Sequence, residues 1–184
     1  ITFDGEELVG KTPNQVAQLG VARTFQAVRT FNESTVLENV LTGAVFGNTE
    51  SVSMSEAEDR ARDALEFVGL DGLESEEAGS LTIADRKQLE LAKGLSARPE
   101  LILVDEIGAG LTPAEIDEIT HTLERARDER GVSVFWIEHI MEAIMSVTDR
   151  IIVLNRGEKI ADGTPEEVRA DEAVTQAYLG EVES

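Results

Sequence analysis

Residues 101–104, Leu-Ile-Leu-Val, form an unbroken apolar run, with Arg98, Pro99 and Glu100 before it and Gly108 and Gly110 after it. So short a run between turn residues reads as a strand buried on both faces, the kind found in parallel sheets covered by helices. It ends in two adjacent acids, Asp105 and Glu106. The carboxyl end of a strand is where open α/β sheets place their ligands. One carboxylate there suits Mg2+, which prefers one or two carboxylates together with substrate phosphates. The second acid is then available to orient or deprotonate a water. A solvated strand end that happens to be acidic is the alternative, and the stretch alone does not separate the two.

The second half of the chain repeats this design. A helix is expected over 113–130, with Ile116, Ile119, Leu123 and Ala126 on one face and Gly131 as its C-cap. A second buried strand is expected over 132–137, ending at Glu138-His139, and then a helix to about Val147. A third strand is expected over 149–154, with Asn155-Arg156-Gly157-Glu158 as a hairpin turn and two short helices at the end of the sequence. Alternating strands and helices argue for a mostly parallel α/β sheet.

The first half is helical with strand fragments. A short extended piece over 21–26 ends in Gln26, and a helix starts after Ser34 or Thr35. Residues 43–55 read as a Gly/Ser/Thr/Asn loop and 56–68 as an amphipathic helix with Ala57, Ala61, Ala64, Leu65 and Val68 on its apolar face. An acidic loop over 71–80 leads into a helix over 81–96. Gly5 to Thr12 matches the phosphate-loop pattern G-x-x-x-x-G-K-[ST]. That pattern acts only between a buried strand and a long helix. Here four residues precede it, Glu6 and Glu7 lie inside it, and Gly20 stops the helix that follows. Thr12-Pro13-Asn14-Gln15 is better read as a capping box, a device repeated at Thr112 and Thr164.

Charge narrows the partners. With 16 basic against 37 acidic residues, a net charge of −21 and only Lys11, Lys87, Lys93 and Lys159 as lysines, the protein lacks the basic footprint that nucleic acid requires. An acidic, lysine-poor surface fits a halophile, whose salt screens self-repulsion. With no cysteine, disulfides and thiolate metal sites are excluded. No apolar run approaches the ~20 residues of a membrane-spanning helix, and a cytoplasmic location is expected.

In order, the pieces are a glutamine after a strand, a helical insert, a strand ending Asp-Glu, an Ala-Gly-Leu-Thr loop and a strand ending in His. This arrangement resembles the ATP-binding subunit of ABC transporters over essentially the whole sequence. Arg23-Thr24-Phe25-Gln26 and Ala177-Tyr178-Leu179-Gly180-Glu181 look like the branched-chain (hydrophobic) amino-acid importer branch. The resemblance implies a partial P-loop NTPase fold of the ABC-ATPase type, with residues 27–96 as a helical signature subdomain and 97–184 as the Walker B to C-terminal α/β part. It implies ATP and Mg2+ as ligands, and a second ABC ATPase subunit (homo- or heterodimer) and transmembrane permease subunits as partners. The expected place is peripheral, on the inner face of the cell membrane.

By the same resemblance, Gln26 is the Q-loop residue contacting Mg2+ and the attacking water, Asp105 the metal-associated acid, and Glu106 the acid that polarises the water. His139 is the switch histidine that contacts the γ-phosphate. Gly110, Leu111 and Thr112 lie in the loop that crosses the dimer interface. Leu81, Thr82, Ile83, Ala84 and Asp85 stand where the family has Leu-Ser-Gly-Gly-Gln, so two glycines that admit a nucleotide are replaced and a negative charge is added, offset by Arg86 and Lys87. Ile107 replaces the proline that usually follows Asp-Glu, and Thr112 the usual aspartate. The family's phosphate loop and adenine-stacking aromatic lie upstream of the strand matching residues 1–4, so the resemblance implies a cassette without its N-terminal segment, binding ATP poorly by itself. Two rivals stand beside this reading. One is a non-hydrolysing interaction module; the other is a DNA-acting ABC ATPase, which the charge and the lack of a coiled coil oppose.

Overall fold

A computed structural model gives the structure of the protein and describes residues 1–24, 29–47 and 52–179. The protein forms two compact units, Ile1–Glu138 and His139–Ser184.

The first unit opens with a two-residue hairpin, β1 (Thr2–Phe3) with β2 (Glu6–Glu7), and a short helix, α1 (Pro13–Gln18). Its sheet has the order β3 (Val21–Arg23), β4 (Leu101–Asp105), β5 (Ser133–Ile137), all parallel. Parallel pairing requires crossovers. Among its described residues, the one between β3 and β4 contains three α-helices: α2 (Val36–Phe46), α3 (Met54–Phe67) and α4 (Ile83–Ser96). Helix α5 (Pro113–Arg130) links β4 to β5 and ends at Gly131 in the left-handed region, as expected. Ile102 and Val104 of β4 are fully buried in a core shared with Leu65, Leu89, Leu91, Ile119 and Leu123. The α/β class and the mostly parallel sheet follow the expectation.

The apolar face expected for α3 is buried throughout. Its end is held to α5 by Phe67, whose ring centre lies close to two guanidinium groups, Arg125 at 4.3 Å and Arg130 at 3.9 Å. Arg125 also donates to the Phe67 carbonyl at 3.1 Å.

Three expectations need correction. Residues 43–55 are not one loop: α2 continues to Phe46, and α3 starts at Met54 behind the N-cap Ser53. Gly43 lies within α2 where α4 crosses it closely: a Cβ on it would stand 2.0 Å from the Lys93 carbonyl oxygen, and one on Gly47 2.4 Å from the Ala97 Cβ. Spacing of four puts both glycines on one helix face, the small-residue device for close helix approach. Ser96 adds a hydrogen bond to the Val40 carbonyl at 3.0 Å.

Strand β5 is also not buried on both faces. Val134 and Trp136 pack against the core, but Phe135 is 54% and Ile137 52% exposed. On β4, Leu101 and Leu103 on the alternate positions are only half-buried. The covered face is the one on which Ile102 and Val104 meet the helices, and among the described residues β5 is the edge of the sheet.

The third correction is one of bounds, in the second unit: the strand expected over 149–154 is β6 (Ile151–Asn155), paired antiparallel with β7 (Glu158–Gly163) as the expected hairpin requires. Arg150, just outside it, donates to Asp162 at 2.7 Å, and Lys159 reaches the same carboxylate at 2.8 Å. These two cations lower the Asp162 pKa to about 2. The hairpin turn falls where expected, with Arg156 and Gly157 both at positive φ, as a type I′ turn requires. Helices α6 (Met141–Val147), α7 (Pro165–Ala170) and α8 (Glu172–Val174) pack Ile144, Val168 and Val174 against Ile151 and Val153. The Tyr178 hydroxyl donates to the Leu154 carbonyl at 2.5 Å.

Candidate functional site

Asp105 ends β4 opposite Ile137 of β5, and its carboxylate stands 3.4 Å from the Arg23 guanidinium at the end of β3. Three parallel strands therefore deliver their carboxyl ends together, and the acid sits among them with a counter-charge. Glu106 follows in a left-handed backbone conformation, φ 44°, while its N–H donates to the Ile137 carbonyl at 2.9 Å. A non-glycine residue held there stores about 1–3 kcal/mol of strain, which the surroundings must enforce. Strain of this kind at a strand end carrying two acids points to a site whose geometry matters.

The loop after Glu106 is held from two sides. Lys87, buried on the inner face of α4, donates to the carbonyls of Ile107 and, at 2.8 Å, of Ala109. From the opposite direction the Glu138 carboxylate accepts the Gly108 N–H at 3.0 Å. Burial pushes the Lys87 pKa down, and the charge of Glu138 opposes that shift. Ile107 itself is buried in the core. Gly110 turns the backbone at φ 80°. Thr112 then caps α5: its hydroxyl accepts the Glu115 N–H at 3.4 Å and donates to the Glu115 carboxylate at 2.7 Å.

The stretch 81–85 is a helix start. Leu81 packs against the core, Thr82 is the N-cap of α4, and its hydroxyl both accepts the Asp85 N–H at 3.1 Å and donates to the Asp85 carboxylate at 2.7 Å. Ile83 is 60% exposed at the first helical position, followed by the half-buried Ala84. Arg86 and Lys87 do not offset Asp85, contrary to expectation. Arg86 is bound to the carbonyls of Leu81 at 3.2 Å and Gly79 at 2.6 Å, and Lys87 serves the loop after Glu106.

Gln26 lies outside the described residues, but both flanks are anchored. Thr24 donates its N–H to the Leu103 carbonyl at 2.9 Å. On the far side, Lys93 donates to the Arg29 carbonyl at 3.0 Å, and the fully buried Asn39 binds both the N–H (2.8 Å) and the carbonyl (3.0 Å) of Phe31. His139 opens the second unit, exposed, directly before Ile140, the N-cap position of α6.

The phosphate-loop look-alike is a hairpin and a helix cap. Asp4 and Gly5 turn the hairpin, Glu6 pairs with Lys11 at 3.3 Å, and the Glu7 carboxylate takes the Val9 N–H at 2.9 Å. Thr12 and Gln15 form the expected capping box. Loop amides committed in this way do not converge on an anion. Lys11→Ala is accordingly expected to leave ATP affinity and stability unchanged. Thr12→Ala should cost about 1 kcal/mol, read as a lower urea midpoint at constant slope.

Lys87 and Arg23 were the residues least visible as site components. Lys87 precedes Leu91 by four positions and Leu95 by eight, so the helical period places it on the buried face. A lysine on an apolar stripe signals a buried partner.

The ABC transporter family model matches residues 1–109, and the model named for the branched-chain amino acid ATP-binding cassette transporter matches residues 158–184. The protein is 39% identical over 193 residues to the high-affinity branched-chain amino acid transport ATP-binding protein BraF of Pseudomonas aeruginosa, with 98% of this sequence and 76% of that protein covered. Identity and coverage are the same for the corresponding protein LivG of Escherichia coli K12. Among solved structures, the ADP conformation of MJ1267, an ATP-binding cassette of an ABC transporter, superimposes with a TM-score of 0.83 at 28% identity, over 97% of this sequence and 76% of that one. From its strand-end acids to its C-terminal hairpin, this protein belongs to the ABC transporter ATP-binding cassette family.

Proposed function

We propose that the protein is the ATP-binding and ATP-hydrolysing subunit of an importer for branched-chain amino acids. It would work with a second cassette and with transmembrane permease subunits, at the inner face of the membrane. The observation that carries this reading is the 39% identity to BraF across 98% of the sequence. The separate match of residues 158–184 to the model for branched-chain amino acid cassettes points the same way. Among the described residues no helix is long and apolar enough to cross a membrane, so membrane passage falls to the permease partners in this scheme.

Asp105 suits Mg2+: a part-exposed carboxylate at the strand ends supplies the one protein oxygen that a phosphate-bound Mg2+ needs. When bound, the ion would supply charge neutralisation at the phosphates. Asp105 would hold it with Gln26, while Glu106 would orient the attacking water and accept its proton. His139 would contact the γ-phosphate. Leu81 to Asp85 would face the partner cassette's ATP, with the first N–H groups of α4 as donors to phosphate. Gly110, Leu111 and Thr112 would lie along the interface between the cassettes. Thr82 and Asp85 satisfy each other, so backbone amides rather than these side chains would provide the contact.

Uptake tests the substrate. A strain deleted for its own ATP-binding subunit of branched-chain amino acid import, given this gene with its cognate permease genes, should accumulate labelled leucine, isoleucine and valine in an ATP-dependent way. ATP hydrolysis without such uptake would retain the ATPase and refute the substrate. The net charge of −21 supports a high-salt setting for the protein. Its melting temperature should then climb between 0.1 M and 2 M KCl by more than that of a near-neutral cassette, as screening relieves repulsion.

A further inference from the structure

Glu106 occupies an unfavourable backbone conformation, and something must hold it there. Its own N–H is fixed by β5, but β4 has ended at Asp105 and the backbone runs on into a loop with two glycines, Gly108 and Gly110, which would otherwise relax. Burial of Ile107 opposes relaxation at one point, and a pair of oppositely charged side chains from two other elements opposes it along the loop backbone. Lys87, on α4, draws the carbonyls of Ile107 and Ala109 inward. Glu138, just past β5, takes the intervening Gly108 N–H. Two peptide groups are thereby held immediately after the strained residue: 107–108 from both its carbonyl and its N–H, and 109–110 from its carbonyl.

We propose that Lys87 and Glu138 form a clamp that positions the Glu106 carboxylate for water activation. The proposal rests on the reading of Glu106 as the water-orienting acid. Both act as positioning residues, through the 107–109 backbone. The clamp also ties this loop to α4, the helix that begins at the 81–85 stretch, two turns or less from Lys87. A shift of α4 would thus be transmitted to the Glu106 backbone through one ammonium group.

A clamp that positions differs from a bolt that merely stabilises by acting on kcat alone. Misplacement of a reacting group by about 1 Å costs on the order of 100-fold in rate. In the intact ATP-hydrolysing protein, Lys87→Met should lower kcat about 10- to 100-fold, leave KM for Mg-ATP within about threefold, and speed hydrogen exchange across residues 106–110. Lys87→Arg, which keeps donors for both carbonyls, should recover most of the lost kcat. Glu138→Ala releases the loop from the other side and should give the same kcat-specific loss. It carries the test if Lys87→Met fails to fold. Because the two act on one loop, the double variant should be no more than about threefold slower than the worse single. Retention of kcat within twofold in either single variant would overturn the clamp, as would a loss confined to KM. Glu106→Gln, measured alongside, separates the two claims. If it hydrolyses normally, the reading of Glu106 is wrong. If it is inactive while Lys87→Met is fully active, the clamp alone fails.

Discussion

Glu106→Gln should abolish ATP turnover while ATP affinity is kept in the ATP-hydrolysing protein. The carboxamide preserves size and hydrogen-bonding capacity but cannot take a proton, and general-base catalysis contributes about 100- to 10,000-fold. ATP should therefore bind, the paired cassettes close, and the closed state persist, visible as a stable dimer by gel filtration in Mg-ATP. Asp105→Asn should behave differently, weakening Mg-ATP binding itself and leaving Arg23 opposite a neutral group. His139→Ala should resemble the Glu106 variant, since the contact proposed for it is with the γ-phosphate and not the metal. Hydrolysis near the parental rate in Glu106→Gln would remove the second acid from the mechanism and leave a route led by His139.

The second large effect is structural. In isolation, replacing a helical glycine by alanine favours the helix by about 1 kcal/mol. At Gly43 the crossing decides the sign. The new methyl would stand 2.0 Å from a backbone oxygen of α4, which cannot move without the helix. Overpacking of this kind costs typically 1–3 kcal/mol, and more when backbone must yield. Gly43→Ala should therefore lower stability by about 3 kcal/mol, roughly 6–12 °C in melting temperature for a domain of this size. Gly94→Ala is the control: its methyl would meet only side-chain carbons, the terminal carbon of Ile102 at 3.2 Å and the Ala22 Cβ at 3.6 Å, and should cost clearly less than Gly43→Ala. If both variants melt alike, the closeness of α2 and α4 is not what that glycine provides.

What the sequence showed and what it hid separate along a physical line. Features decided within a few residues were legible: the capping boxes at Thr12, Thr112 and Thr164, the Gly131 C-cap, the turn at Arg156-Gly157, and the apolar periods of α3 and α5. The acids at the end of β4 were legible too, because a short apolar run limits how that segment can fold. Features decided by a distant neighbour were not. Gly43 and Gly47 look like loop residues until α4 is laid across them. Phe135 and Ile137 look like core, since an apolar run does not say how many of its faces are covered. Arg23 finds Asp105 across 82 positions of sequence, and Lys87 finds its loop across 20 and 22. Their charge could be read, but their partners could not.

The half-covered sheet has a colloidal consequence. A strand that is an edge among the described residues, beside two exposed large apolar side chains, is a template for pairing with another copy. Here it sits on a molecule with a net charge of −21, so two copies approaching edge to edge repel over the screening length, about 10 Å at 0.1 M salt but about 3 Å at 1 M. The acidic surface thus acts as a spacer that keeps bare edges apart. Salt then pulls in two directions at once, relieving strain within each molecule while removing the barrier between molecules. The buffer that raises the melting temperature should also lower the concentration at which copies associate, and light scattering across the same KCl series would trace where the two curves cross.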